Sequence, residues 1–406
     1  MPGKRDWKTP AMVLGAGAVL LAVSLGTRHA FGLFLAPMSQ DNGWTREVFG
    51  FAIALQNLIW GVAQPFAGRF ADRYGTGRVI LGGTVLYVAG LLLMAHSRTP
   101  TMLALSAGVL VGVGLSGVSF PVVFGAILRK TPLGRRSVAM GVAMSVGSLG
   151  QFVMLPVALN AIQALGPGTT LLALAALGTI MVPLAIPLSE SRASTPRPAP
   201  MPLRAVLGEA LAVPGFWLLC FGFFVCGFHV VFIATHLPAY LTDRGLGAST
   251  GAAVLALVGL FNIAGTYVAG VLGGRRSKPG LLVGLYGTRA LVLAAFILFP
   301  LTEGSAYVFG AAMGLLWLST VPLTNGTVAT LFGVENLALL GGIVFFFHQV
   351  GAFLGGWLGG RLYVATGSYD VVWWMSVALA VLAALINLPI REVPVARIRA
   401  RAEDPA

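Results

Sequence analysis

Twelve apolar runs follow one another along this chain of 406 residues. Each is near or above the roughly 20 residues that one helix needs to cross a bilayer. Read against Gly, Pro and charged breaks, they predict helices over 11–37, 47–68, 77–97, 101–128, 137–163, 167–188, 211–240, 248–273, 279–300, 305–331, 337–362 and 370–390. Charged residues make up 10% of the chain and hydrophobic ones 57%, whereas a soluble domain carries about 25% charge. That is too little charge to cover a water-facing surface, which excludes a soluble enzyme of this size. The fold class is an all-α membrane protein with twelve transmembrane helices. The longest connection follows the sixth helix and contains Pro196-Arg197-Pro198-Ala199-Pro200, a composition that reads as a solvated linker. It divides the chain into a six-helix bundle at 1–189, a cytoplasmic linker at 190–209 and a second six-helix bundle at 210–406.

The formal charge of +13 would suggest nucleic acid in a soluble protein. Here the bases sit in short loops between apolar runs. With both termini in the cytoplasm, 20 Lys and Arg residues fall on that side and only Arg46, Arg98, Arg244 and Arg361 fall outside. This follows the positive-inside rule, so we expect a multi-pass protein of the cell (inner) membrane with no nucleic-acid partner. The first run is long and continues into Arg28 and His29 rather than a small-residue cleavage site, so no cleavable signal peptide is expected. Cys220 and Cys226 share one apolar segment without metal spacing, which reads as plain packing. No metal and no cofactor are expected.

The two halves resemble each other at an offset of about 201 residues. Gly26 through Phe31, ending at Pro37, lines up with Gly227 through Phe232, ending at Pro238. Pro121 matches Pro322, Gly150 matches Gly351, and the stretch from Gly68 to Arg73 parallels that from Gly270 to Arg275. Duplicated membrane halves are the architecture of secondary transporters, which hold substrate near the midplane between repeats.

Between the second and third runs, Gly68-x-x-x-Asp72-Arg73-x-Gly75-x-x-Arg78 resembles the loop signature of the major facilitator superfamily. The resemblance implies two pseudo-symmetric six-helix bundles, alternating access by rocking, and a gating latch formed by Gly68, Asp72, Arg73 and Arg78. Physically, Asp72 can accept from arginines and cap a neighbouring helix end; the competing reading is a solvated turn. Within that superfamily, Arg135-Arg136-x-Val138-Ala139-x-Gly141-x-Ala143-x-Ser145 is similar to the fifth-helix signature of monocarboxylate transporters. Its small residues also suit close helix packing on their own account. The turn Gly43-Trp44-Thr45-Arg46 resembles bacterial members of that family and the oxalate/formate exchangers. The resemblance to those families implies an arginine in the eighth helix that binds the substrate carboxylate, preceded in monocarboxylate carriers by an aspartate. Aligned through Gly270, this chain has Asn262 and Thr266 there, so lactate-like specificity does not simply carry over.

The acids sit in loops, tails or, for Glu47, at a helix mouth, whereas Arg28, His29, His229, Arg289 and His348 fall within apolar runs. Burying an arginine costs about 3 kcal/mol even on lenient scales. Bases without internal acids therefore point to an anion-binding cavity. Arg28 suits bidentate hydrogen bonds to a carboxylate, and the repeat places His229 at the equivalent depth, ready to face it. The competing reading has Arg28 snorkelling to the outer interface. His348, beside Gln349, changes charge near neutral pH and is a candidate for proton coupling along with His229; plain packing is its alternative. Arg289 is expected to be structural or to snorkel. Asn57, Asn262 and Asn325 could complete the cavity, although each could equally serve helix packing. The leading expectation is a monomeric carrier of a small organic anion, a monocarboxylate, coupled to protons within the lipid bilayer. An exporter of lipophilic cations is the alternative, although such exporters need an acid within the membrane.

Overall fold

The computed structural model describes residues 9–44, 46–189 and 201–398. Among them there are helices, turns and no strand. Eleven stretches are long and apolar enough to span a membrane, and one of these, Leu133–Leu188, runs for 56 residues. It holds two passes, because Gly166 breaks the helix with φ 79° and ψ 166°, a conformation open to glycine and costly for residues with a Cβ. Twelve membrane-length helices result among the described residues. They are α1 (Pro10–His29), α2 (Arg46–Tyr74), α3 (Thr76–Ala95), α4 (Pro100–Lys130), α5 (136–165) and α6 (167–188). The second half holds α7 (Pro214–Asp243), α8 (Ala248–Gly273), α9 (Lys278–Leu298), α10 (Glu303–Phe332), α11 (Leu337–Thr366) and α12 (Asp370–Asn387). Large apolar side chains stand on the periphery, among them Leu291 at 72% exposure, Val308 at 69% and Phe66 at 64%. Such a belt is an aggregation hazard in water and the expected surface in lipid.

The boundaries follow the expected ones with three differences. The first run does not continue straight to residue 37. A 3-10 turn at Ala30–Phe34 redirects it into a short helix, Leu35–Asn42. The second run continues to Tyr74, so Gly68 and Asp72 lie on the last turns of α2 rather than in a loop. The break comes at Gly75, whose φ of 100° turns α2 sharply into α3. Part of the expected linker is a helix, Leu203–Leu211, with Val206 and Ala210 buried; residues 190–200 lie outside the described residues.

The repeat read from sequence is also a repeat of packing. Gly150 of α5 sits against the backbone of Ala22 in α1, and Gly26 against Gly150 in return. At the same offset, Gly351 of α11 sits against Phe224 of α7, and Gly227 against His348. Each half thus uses glycine to bring two helix backbones into contact. The helix carrying each paired proline is also interrupted in both halves. In α4, Ser119 is extended at φ −93° and ψ 171° just before Phe120 and Pro121. In α10 the helix stops at Leu316 and restarts at Thr320, before Pro322.

The halves meet along two crossings. In one, Gly68 of α2 abuts the backbone of Ala338 in α11, and Gly342 abuts that of Gln64. In the other, Gly141 of α5 abuts Gly270 of α8. Gly227→Ala is expected to force α7 and α11 apart and cost about 1–3 kcal/mol. Gly284→Ala, whose new Cβ meets nothing within 4 Å, should instead stabilise α9 by about 0.5–1 kcal/mol. Thermal unfolding of the two variants in detergent checks the contrast.

Candidate functional site

Helical spacing puts Gln56, Asn57, Trp60 and Gln64 on one side of α2, facing the interior rather than lipid; all four are buried. Gln56 Nε2 donates to the Ala107 carbonyl at 2.7 Å, inside a π-helical turn of α4 (Ala104–Leu110). Gln64 closes the other interruption of α4. Its Nε2 donates to the Ser116 carbonyl at 3.0 Å, while its Oε1 accepts from Ser119 Oγ at 2.6 Å and from Trp60 Nε1 at 2.9 Å. These two glutamines satisfy backbone and side-chain groups that irregular helix would otherwise leave unpaired in lipid.

Between them lies the polar centre. Arg28, near the end of α1, donates through Nη2 to Asn57 Oδ1, and its guanidinium lies 5.0 Å from the Trp60 ring centroid, within cation–π range. Its Nε is enclosed without a hydrogen-bond partner, and the residue as a whole is half-buried. Gln349 of α11 donates to the Asn57 carbonyl at 3.3 Å and to Asn57 Oδ1 at 3.4 Å. The adjacent His348 places Nδ1 3.2 Å from Gln349 Oε1. In the neutral ring that bond puts the proton on Nδ1 and leaves Nε2 with its lone pair. The imidazole stacks on Phe345 at 5.4 Å and lies 4.7 Å from Phe223, whose ring is tilted by 45°. A continuous polar chain, Arg28–Asn57–Gln349–His348, therefore crosses from one half to the other.

One side of this chain is sealed. Trp60 and Phe345 lie 4.7 Å apart, and Phe120 and Phe345 4.9 Å apart. Beneath them come the Gln64 network and then Asp72, whose Oδ2 accepts from the Leu339 backbone N–H at 3.0 Å. This carboxylate from one half thus caps the first turn of α11 in the other, at the positive end of its dipole. Asp72 also lies 3.6 Å from Arg129, which in turn donates to Thr76.

The expected residues divide accordingly. Arg28, Asn57, His348 and Gln349 come together. His229 does not face Arg28: it is fully buried and pairs Nε2 with the Ser376 carbonyl of α12 at 2.9 Å. Equal depth in the repeat did not mean equal rotation about the helix axis. His29 is half-buried with an enclosed, unpartnered Nδ1. Asn262 has both ends of its amide engaged, donating to Ser148 Oγ at 2.8 Å and accepting from Leu318 N–H at 3.0 Å. Thr266 meets Ser145 Oγ at 3.0 Å. The positions at which the resemblance implies an aspartate and a carboxylate-binding arginine are thus engaged in contacts of α8 with α5 and α10. Asn325 donates to Val321 within α10, with its Oδ1 enclosed beside Gly341. Arg289 is at 0% exposure and donates to the carbonyls of Leu316 and Trp317, where α10 is interrupted; it holds the break and does not snorkel. In the Asp72 cluster, Arg73 and Arg78 are exposed, and Arg73 lies over Tyr74. The basic partner is Arg129 instead, a residue at the end of α4 for which the position of a base at a helix C-terminus was the available signal. Trp60 was also missed, although its place three residues after Asn57 gives it the same helix face.

An all-helical membrane protein of paired six-helix halves, with interrupted helices and a polar centre between them, has the architecture of a transporter. The chain matches the sequence description of the Major Facilitator Superfamily over residues 15–355 and belongs to that family. It is 24% identical to an uncharacterized MFS-type transporter, YcxA, of Bacillus subtilis (strain 168), over 89% of this chain and 90% of the relative. It is 25% identical to human monocarboxylate transporter 11, over 91% and 80% of the two chains. With the oxalate:formate antiporter of Oxalobacter formigenes it shares 22% identity, over 85% and 82%. Its fold is similar to the crystal structure of the MFS transporter FucP in the outward conformation, with a TM-score of 0.74 at 14% identity, over 93% and 99% of the chains.

Asp72→Asn should weaken the contact between α2 and α11. In that variant, a cysteine introduced at Ala338 is expected to react several-fold faster with a membrane-impermeant maleimide applied to the face that carries Asp72. Equal labelling rates in the two backgrounds would contradict a closing role for Asp72.

Proposed function

We propose that this protein is a secondary transporter that moves a small monocarboxylate by alternating access, with Arg28 as the anion site and His348 as the proton site. The observation that carries the reading is the Arg28 guanidinium, held in the membrane interior by Asn57 and Trp60 with its Nε unengaged. The described acids lie towards the two membrane faces, as with Asp72, Glu303 and Asp370, so an incoming carboxylate is the natural counter-ion. Arginine's planar fork suits it. Transporters of monocarboxylates and of oxalate and formate among the relatives support the same substrate class.

The Nε2 of His348 accepts the proton, and the ring then shares its charge with the stacked face of Phe345 and with Gln349. A cation there strengthens anion binding across the gap, and its loss weakens it, so uptake rises as pH falls and proton and anion move together. The basic face, closed by Asp72 and the Trp60–Phe345 contact, is the cytoplasmic one, with both termini on that side. In this state the site opens outward. Return requires Gly68 to part from Ala338 and Gly141 from Gly270, while the opposite ends of the same helices close.

In reconstituted vesicles Arg28→Lys should lower carboxylate uptake at least tenfold, because a point charge replaces a bidentate fork; unchanged kinetics would remove Arg28 from the site. His348→Gln should leave counterflow exchange intact and flatten the pH dependence of net uptake. A variant that accelerates on acidification as steeply as the unmodified protein would place the proton elsewhere.

A further inference from the structure

On the lipid-facing side of the second half, α8, α9 and α10 enclose a groove of about 370 Å³. Its walls are apolar, formed by Val268, Leu272, Leu281 and Leu315 with Gly265 and Gly284, and Gly284 leaves open space where a side chain would stand. At one end the groove reaches the turn between α8 and α9, through Leu272 and Gly280. That turn carries Arg275 and Arg276, both exposed. Among the described residues neither pairs with an acid, whereas the neighbouring Lys278 is committed to Glu392 at 2.8 Å. The positive end of the α9 dipole starts at the same turn.

We infer that this groove seats one anionic phospholipid, with an acyl chain along the glycine-lined walls and the phosphate on Arg275 and Arg276. Charge complementarity selects this occupant. A purely apolar partner helix would leave the two arginines at the mouth unused, whereas an anionic headgroup would meet both bases. The far end of the groove touches Leu315 and Ser319, which bracket the interruption in α10, so the lipid buttresses the segment that Arg289 holds from the inside. The inference is independent of what the protein carries.

The test is thermal unfolding in nanodiscs of phosphatidylcholine, with and without phosphatidylglycerol, since a ligand of the native state raises the midpoint by mass action. The unmodified protein should gain stability from phosphatidylglycerol. That gain should be lost when Gly284→Leu fills the groove and when Arg275→Gln and Arg276→Gln remove the headgroup contacts. It should persist in Arg135→Gln, which removes an exposed base from the same face away from the groove. Midpoints in phosphatidylcholine alone report whether each variant is folded. An equal gain in all variants, or an equal loss in Arg135→Gln, would overturn the site in favour of diffuse surface charge. A gain produced by inorganic phosphate in phosphatidylcholine discs would overturn it in favour of a soluble anion.

Discussion

A guanidinium in the membrane interior, held by neutral acceptors alone, is the constraint on which the account turns. Placing such a group at mid-membrane costs about 3 kcal/mol on the most lenient scale, so it persists only where surrounding dipoles and a π face share the charge. Among the described residues there are two cases. Arg289 is sealed within one half, where its charge meets carbonyls released by the break in α10 and the ring of Tyr286; its task is to hold irregular backbone in place. Arg28 stands where the two halves meet, engaged on one edge by Asn57 and with Nε unengaged. Both leave guanidinium nitrogens enclosed and unpartnered, Nε and Nη1 at Arg289 and Nε at Arg28; what separates them is that Arg289 is fully buried within one half, whereas Arg28 is half-buried at the junction of the two, where we propose that it meets the anion.

Movement between two states requires an interface that is tight yet cheap to part. Both crossings between halves are lined by small residues, Gly61, Gly68 and Gly342 on one and Gly141 and Gly270 on the other. Close backbone approach gives dispersion contact without interlocked side chains. Polar contacts across them include the neutral bonds of Asn57 to Gln349, Ser145 to Thr266 and Asn262 to Ser148, and the carboxylate cap of Asp72 on α11, while the charge of Glu335 in the second half acts on Arg136 in the first. The charged cap of Asp72 at the rim makes the opening of that face sensitive to this residue.

Sequence alone revealed the spans because lipid allows one solution, helices of a fixed minimum length, and it revealed the repeat because duplicated packing needs glycine at duplicated places. Gly150 and Gly351 were readable in that way. Rotation about helix axes was not readable. His229 matches Arg28 in depth yet turns to Ser376, and Asn262 and Thr266 close a seam instead of lining a cavity. Nor could local spacing find Arg129, which reaches Asp72 from a helix distant in sequence. Long-range pairing of this kind is set by tertiary packing.

The most direct test is equilibrium binding of small carboxylates by the purified protein, followed by thermal shift at acidic and alkaline pH, in the unmodified chain and in Arg28→Gln. The account predicts stabilisation by monocarboxylates that is larger at acidic pH and absent without the guanidinium. Undiminished stabilisation in Arg28→Gln, or a response to lipophilic cations in place of carboxylates, would contradict it.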